Sequence, residues 1–186
     1  KTNRQIEVIN RNNLPIEADL TIFRTIFDTS SDAILITDSN QIIVQVNPAF
    51  TSIMGYEQET VIGKTPKVFS SGKHDREFYR QFWTQLKTKG SWQGELWDVR
   101  KDNTLVPLWQ TINVVKRDGK IVNYISIFSD ISKLKDTEKK LWELAHFDPL
   151  THLANRKLLE IIVNHEINKA SRLNSSCALL FLDLDN

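Results

Sequence analysis

The chain has 186 residues, 40% hydrophobic and 25% charged, with a formal net charge of +1. These are the values of an ordinary folded chain, long enough for one domain and part of a second, and the near-neutral balance gives no footing for a nucleic-acid or membrane surface. No apolar run approaches the roughly 20 residues that span a bilayer, no secretory leader opens the chain, and the lone Cys177 excludes an internal disulfide; together these point to the cytoplasm.

Residues 1–19 are polar with scattered aliphatics and a Pro15, and read as a tail or linker; the start at Lys1 leaves room for an upstream segment. Leu20, Phe23, Ile26 and Phe27 recur at helical spacing and predict a short amphipathic helix ending near Asp28–Ser31. Ala33–Thr37 and Ile42–Val46 are β-rich runs joined by a hairpin signal at Asp38-Ser39-Asn40-Gln41. Asn47 and Pro48 are an N-cap and a first helical residue for a helix through Met54, which Gly55 ends. A short turn follows at Glu57–Val61, then a loop over 64–74. Asp75 caps a helix with the apolar stripe Phe78, Phe82, Trp83 and Leu86, stopped by Gly90. Three long strands are predicted at Trp92–Arg100, Leu105–Val115 and Lys120–Ser129. Asn103 suits the first hairpin, and Asp118-Gly119 is a type I′ signal for the second.

The order β-β-α-α-α-β-β-β resembles a PAS domain, and local motifs support the likeness. They are Asp32–Asp38 as first strand, Asn47-Pro48-Ala49-Phe50 with Gly55-Tyr56, Val61-Ile62-Gly63-Lys64, and the closing Asp130-Ile131-Ser132. The resemblance implies an α+β fold, a five-stranded antiparallel sheet with helices on one face, over residues 20–132. It also implies that Asp130 pairs with a basic residue and passes strain into the following helix; helix capping is the plainer role for that carboxylate. That signalling helix is placed at 133–147, with Leu134, Leu141 and Leu144 on a, a and d positions. Two heptads are marginal alone. A homodimer through PAS and helix is one expectation, and packing of the helix on its own sheet is the other.

Ser70–Asp75, Phe78-Tyr79, Trp83, Trp92-Gln93-Gly94-Glu95 and Arg100-Lys101-Asp102 resemble a PAS subgroup that includes flavin-binding redox and oxygen sensors. FAD or another flavin is thus one expected cofactor, with another small ligand or none as the alternatives. A flavin site needs a flat apolar slot and a few polar groups. Trp83 and Trp92 are the candidate walls, unless both are simply core, the commoner fate of aromatics so spaced. Period-2 alternation puts Trp92, Gly94, Leu96, Asp98 and Arg100 on one strand face, and Gln110 beside Leu108, Ile112 and Val114 on the next. Asp98 and Gln110 are the candidate polar contacts. Where the resembling sensors favour Asn, this chain has Asp98, and an ionised carboxylate only accepts hydrogen bonds. His74, the one histidine before residue 133, lies in a loop and gives little support to haem. The blue-light subgroup needs a cysteine where this chain has Pro66, so no covalent adduct is expected.

From Asp148 the chain reads Asp-Pro-Leu-Thr-His-Leu-Ala-Asn-Arg, then a helical run and Phe181-Leu182-Asp183-Leu184-Asp185. This resembles the opening of a GGDEF (diguanylate cyclase) domain, with His152 replacing the usual Gly, so residues 148–186 are a truncated α/β start. The resemblance implies a strand over Ala178–Leu182, GTP and Mg²⁺ in the parent protein, and Asp183 as a metal ligand there. The family's signature loop lies beyond Asn186, so no catalytic residue is assigned and this chain alone is expected to make no cyclic-di-GMP. The expected function is a cytoplasmic PAS module that relays a ligand or redox signal to a cyclase domain. The alternative is a ligand-free dimerisation module.

Overall fold

A computed structural model describes residues 19–180 and 182, and the chain divides into two units, Lys1–Ser132 and Lys133–Asn186. The expected tail over 1–19 lies outside the described residues except for its last residue, and Asp183 lies outside them too.

In the first unit a helix over residues 19–29 (α1) precedes β1 (Ala33–Asp38), β2 (Ile43–Val46), α2 (Pro48–Met54), α3 (Gln58–Val61) and a 3₁₀ turn (Pro66–Phe69). Then come α4 (Arg76–Lys89), β3 (Ser91–Val99), β4 (Leu105–Arg117) and β5 (Lys120–Asp130). The sheet order is β2-β1-β5-β4-β3, with every neighbouring pair antiparallel. Hairpins build both ends of this sheet. Asp118 and Gly119 take φ of 53° and 75°, the paired left-handed conformation a two-residue type I′ turn requires. Asn103, at φ 65°, makes the same accommodation between β3 and β4.

Asn47 organises the other end. Its Oδ1 accepts from Phe50 N (3.0 Å), capping α2, and from Ile34 N (2.9 Å) of β1. Its Nδ2 donates to Phe27 O (3.1 Å) of α1 and to Asp32 O (3.0 Å). One buried amide thus ties three elements together. Of the apolar stripe predicted for α1, only Phe27 is buried; Leu20, Phe23 and Ile26 are exposed.

Two apolar clusters line the helix-bearing face of the sheet. One joins Ala33, Leu35, Ile43, Val46, Phe50, Met54, Val61, Phe69, Val106, Leu108 and Phe128. The other joins Phe82, Leu86, Trp92 and Leu96, with Phe78 and Trp83 against it. They do not merge, and the space between them matters below.

The second unit holds α5 (Ser132–His146), whose first residue is the last of the preceding unit, and α6 (Arg156–Leu173). Asn155 caps α6 by accepting from Leu158 N. Asp148 Oδ1 accepts from the amides of Leu150 and Thr151 and from the Thr151 hydroxyl, closing the turn before it. His152 sits at φ 56°. Glycine adopts that conformation at no steric cost, which accounts for its use at this position in the resembling family. Over the strand expected at Ala178–Leu182, the described residues 178–180 and 182 carry no regular structure, and Leu179, Leu180 and Leu182 are exposed. A lone strand has no ladder to join, and no strand is described elsewhere in this unit.

Candidate functional site

A cavity of about 470 Å³ opens between the two apolar clusters. Its floor is the sheet: Leu35 and Thr37 of β1, Tyr124, Ser126 and Phe128 of β5, Gln110 and Ile112 of β4, Leu96 and Asp98 of β3. Its roof is α4, through Tyr79, Phe82, Trp83 and Leu86, and its rim is the 3₁₀ turn with Pro66, Lys67 and Phe69. The volume lies within the roughly 300–1,000 Å³ of small-molecule sites, and so does the mixture of aromatic walls and a few polar groups. A larger depression of about 620 Å³ at Ser52–Gly55, Arg100–Asp102 and Asp130 lies open to solvent, and its Arg100 and Asp130 already pair with each other. The cavity beneath α4 is the more sheltered of the two and the better ligand candidate.

Of the candidate pocket residues, Trp83, Asp98 and Gln110 line this cavity and Trp92 does not. Trp92 is buried against Phe82, with ring centroids 4.8 Å apart, and its indole folds back along its own strand. A Cβ added at Gly94 would meet that ring at 3.0 Å, so Gly94 is the space the indole needs. Trp92 is core. Trp83 meets Tyr124 edge to face, with ring centroids 6.2 Å apart, and both rings line the cavity.

Asp98 and Gln110 do not share one edge. In the β3–β4 register Gln110 pairs with Gly94 and Asp98 with Val106. Four residues of β3 separate the two levels, about 13 Å of strand. Between them lie Leu96 and Leu108, both buried. Gln110 Nε2 donates to Ser126 Oγ across the β4–β5 seam, whereas no hydrogen bond to the Asp98 carboxyl occurs among the described residues. Burial pushes the Asp98 carboxyl up from 3.8 to about 7. The cavity therefore carries polarity at two separated places with an apolar middle.

The loop beside Asp98 is fastened to β3. Ser70 bridges the backbone of Asp98, Ser71 Oγ donates to Trp97 O, and the Trp97 amide donates to His74 Nε2 at 2.9 Å. The Lys73 ammonium lies 3.3 Å from the centroid of the Trp97 ring, a cation–π contact. Burial lowers the His74 pKa, consistent with an imidazole that accepts.

At the end of β5, Asp130 Oδ2 takes a 2.5 Å ion pair from the Arg100 guanidinium, and its Oδ1 accepts from Ser132 N at the start of α5. Burial opposes ionisation of Asp130, but the Ser132 hydrogen bonds and the Arg100 charge prevail and hold its pKa below the usual value. Both expected roles are thus compatible here, since the carboxylate pairs with a basic residue and meets the first turn of a helix. Arg100 Nε also donates to Ile53 O of α2, and Nη1 to Thr104 in the β3–β4 hairpin.

Sequence reasoning missed Thr37, Ser70, Tyr79, Tyr124 and Ser126 as cavity residues. Period-2 alternation, applied to β3 and β4 but not to β1 and β5, would have placed Thr37, Tyr124 and Ser126 on the same face. Among the described residues no group of three or more His, Cys, Asp or Glu is placed to hold a metal. No helix described is long and apolar enough to cross a membrane.

Comparison with known proteins gives two family matches: the PAS fold over residues 21–131, and the diguanylate cyclase GGDEF domain over residues 145–186. The nitrogen fixation regulatory protein of Klebsiella oxytoca is 30% identical over 121 residues, 64% of this chain and 24% of that protein. The cyclic di-GMP phosphodiesterase PdeR of Escherichia coli K12 is 26% identical over 169 residues, 90% of this chain and 25% of that protein. The chain thus spans about a quarter of the length of either relative. Among solved structures, a PAS domain from Colwellia psychrerythraea superposes with a TM-score of 0.57 at 23% identity, covering 61% of this chain and 98% of that one.

Proposed function

The chain belongs to the PAS family through residues 21–131, with the start of a GGDEF domain behind it, and on that footing we propose that it is the sensory module of a cyclic-di-GMP signalling protein. One observation carries this reading. The cavity lies on the sheet face whose strand β5 supplies Tyr124, Ser126 and Phe128 to the floor and ends in Asp130, at the start of α5. A ligand that shifts β5 therefore acts on the same strand that holds the Arg100–Asp130 pair. Cytoplasmic location and homodimerisation belong to the same proposal. The exposed Leu134, Leu141, Trp142 and Leu144 of α5 favour the second.

The ligand class that suits the cavity is a flat heteroaromatic, with a flavin as the first candidate. Phe82, Trp83 and Tyr124 provide flat apolar surface, and Gln110 and Asp98 provide separated polar groups. A bound flavin would supply reversible redox chemistry, and the protein's part would be to position it and tune it. Pro66 lines the cavity where the blue-light subgroup needs its thiol, and no cysteine is among the residues that line it. In the parent protein the output would be GTP- and Mg²⁺-dependent.

The test fills the cavity. Ser126→Leu in the parent protein should abolish ligand retention and lock cyclic-di-GMP output at one level across ligand or redox conditions. Output that still responds like wild type would sink the relay reading. The ligand-free dimerisation module, favoured by the exposed apolar residues of α5, would then be the better account.

A further inference from the structure

We propose that Asp98 meets the ligand as a hydrogen-bond donor, so that the cavity takes a neutral planar heterocycle presenting a ring carbonyl or ring-nitrogen acceptor at the Asp98 end. This rests on the cavity being the sensory site, as proposed above.

The placement of the side chain is the first support. Asp98 points inward from the outermost strand of the sheet, and the bridge from Ser70 with the Ser71 and His74 contacts to Trp97 closes the loop over it. No hydrogen bond to its carboxyl oxygens occurs among the described residues, whereas the other deep polar group, Gln110, is held by Ser126. Asp98 is half-buried, and its carboxyl faces the cavity without a partner among the described residues, so it meets the cost of its charge by taking up a proton or by taking a partner from the cavity.

The charged and titratable groups around it are engaged elsewhere or do not set its protonation, which follows from desolvation. On β3 itself, Glu95 bonds the Trp97 indole, and Arg100 is engaged with Asp130, Ile53 and Thr104. The loop brings His74, α4 brings Tyr79, β5 brings Tyr124, and the 3₁₀ turn brings Lys67. The facing residues of β4, Val106 and Leu108, are apolar. None of these neighbours accounts for the raised pKa of Asp98, which burial alone pushes up to about 7. A protonated carboxyl both donates and accepts, as the amide of Asn does, so the substitution of Asp for the Asn favoured by similar sensors keeps the donor. A cationic amine is the opposite solution. Lys67, on the same cavity rim, disfavours a second cation there.

The probe is riboflavin, measured by equilibrium dialysis against the whole chain at pH 5.5 and 8.5, with tryptamine as the amine control. With a pKa of about 7, the neutral-acid fraction falls about thirty-fold across that interval. Riboflavin affinity should fall by about the same factor. Asp98→Asn should bind at both pH values as wild type does at pH 5.5, and Asp98→Leu should bind weakly at both. His74 is retained in Asp98→Asn, so any pH dependence left in that variant belongs to the loop and is subtracted. Riboflavin binding that is flat with pH in wild type overturns the donor role while leaving the cavity as a ligand site. Tryptamine binding that strengthens toward pH 8.5 and disappears in Asp98→Asn overturns it in favour of a cation. Failure of wild type and both variants to bind either probe overturns the cavity reading and the donor role together.

Discussion

Replacing Asn47 tests the frame that holds the cavity floor. The residue is 1% exposed, and its amide makes four hydrogen bonds of 2.9–3.1 Å. Asn47→Ala removes an N-cap, worth about 1 kcal/mol. It also strands Ile34 N, Phe27 O and Asp32 O; each buried group left unpaired costs roughly 1–3 kcal/mol, partly relieved by local relaxation. The expected loss is about 3–5 kcal/mol. Asn47→Asp is the sharper variant, because Asp caps a helix as well as Asn does. It keeps both accepted bonds but sets an oxygen where Nδ2 donates, facing two carbonyls at 3.0 and 3.1 Å. Asp should therefore lose at least as much stability as Ala at neutral pH. Urea unfolding followed by tryptophan fluorescence would measure it, since Trp83, Trp92, Trp97 and Trp109 all belong to the first unit. An Asn47→Asp protein within 1 kcal/mol of wild type by this ~1 kcal/mol cap scale would refute the four-bond account.

Two further outcomes concern pH. The folded-state pKa of Asp98 is raised from 3.8 to about 7, so the folded protein binds the extra proton between those values and stability falls as pH rises through that window. At about 1.36 kcal/mol per unit the penalty approaches roughly 4 kcal/mol, reduced to about 2–4 by cavity water. Asp98→Asn should gain almost nothing at pH 4 and most at pH 8 in the same unfolding assay; a gain independent of pH would contradict it. Asp130 has the opposite sign: its lowered pKa contributes stability present above the ordinary carboxylate value and lost as pH falls through the folded one. Arg100→Ala should remove about 1–2 kcal/mol at pH 7 and reduce the acid loss of the first unit. An unchanged acid limb would show that the pair adds no stability.

Local chemistry made most of this fold legible. Asn47, Asp75, Gly55, Gly90 and Asp118-Gly119 are positions where one residue type answers one backbone demand, and each does so. The site was legible only as far as alternation reaches. Alternation put Trp92 and Asp98 on the inward face, but inward aromatics fill core as readily as they line cavities, and the missing Cβ of Gly94 decided the matter for Trp92. The separation of Asp98 from Gln110 follows from the unbroken β3–β4 register, which the hairpin at Asn103 sets at Val99–Leu105. The raised pKa of Asp98 was not legible, because it depends on desolvation by elements distant in sequence. The irregular backbone at 178–180 marks the converse limit, since β propensity without a neighbouring strand specifies nothing.

The proposed relay gains its physical content from β5. Tyr124, Ser126, Phe128 and Asp130 alternate onto one face, so cavity floor and strand end are successive positions of one rigid ladder. That ladder is clamped along its length by β1 and β4. It cannot bend locally at Ser126 without straining registered pairs, and a small shift is passed on toward Asp130 rather than absorbed. Asp130 shares its guanidinium partner with Ile53 O of α2 and Thr104 of the hairpin. Movement there exchanges hydrogen bonds among discrete partners, which is the kind of element that has two states rather than a continuum. A ligand that bonds Gln110 competes with Ser126 for that amide, and in doing so acts on β4 and β5 together. On this account the Gln110–Ser126 contact is the first place where binding energy becomes strain, and Arg100–Asp130 the place where that strain is released.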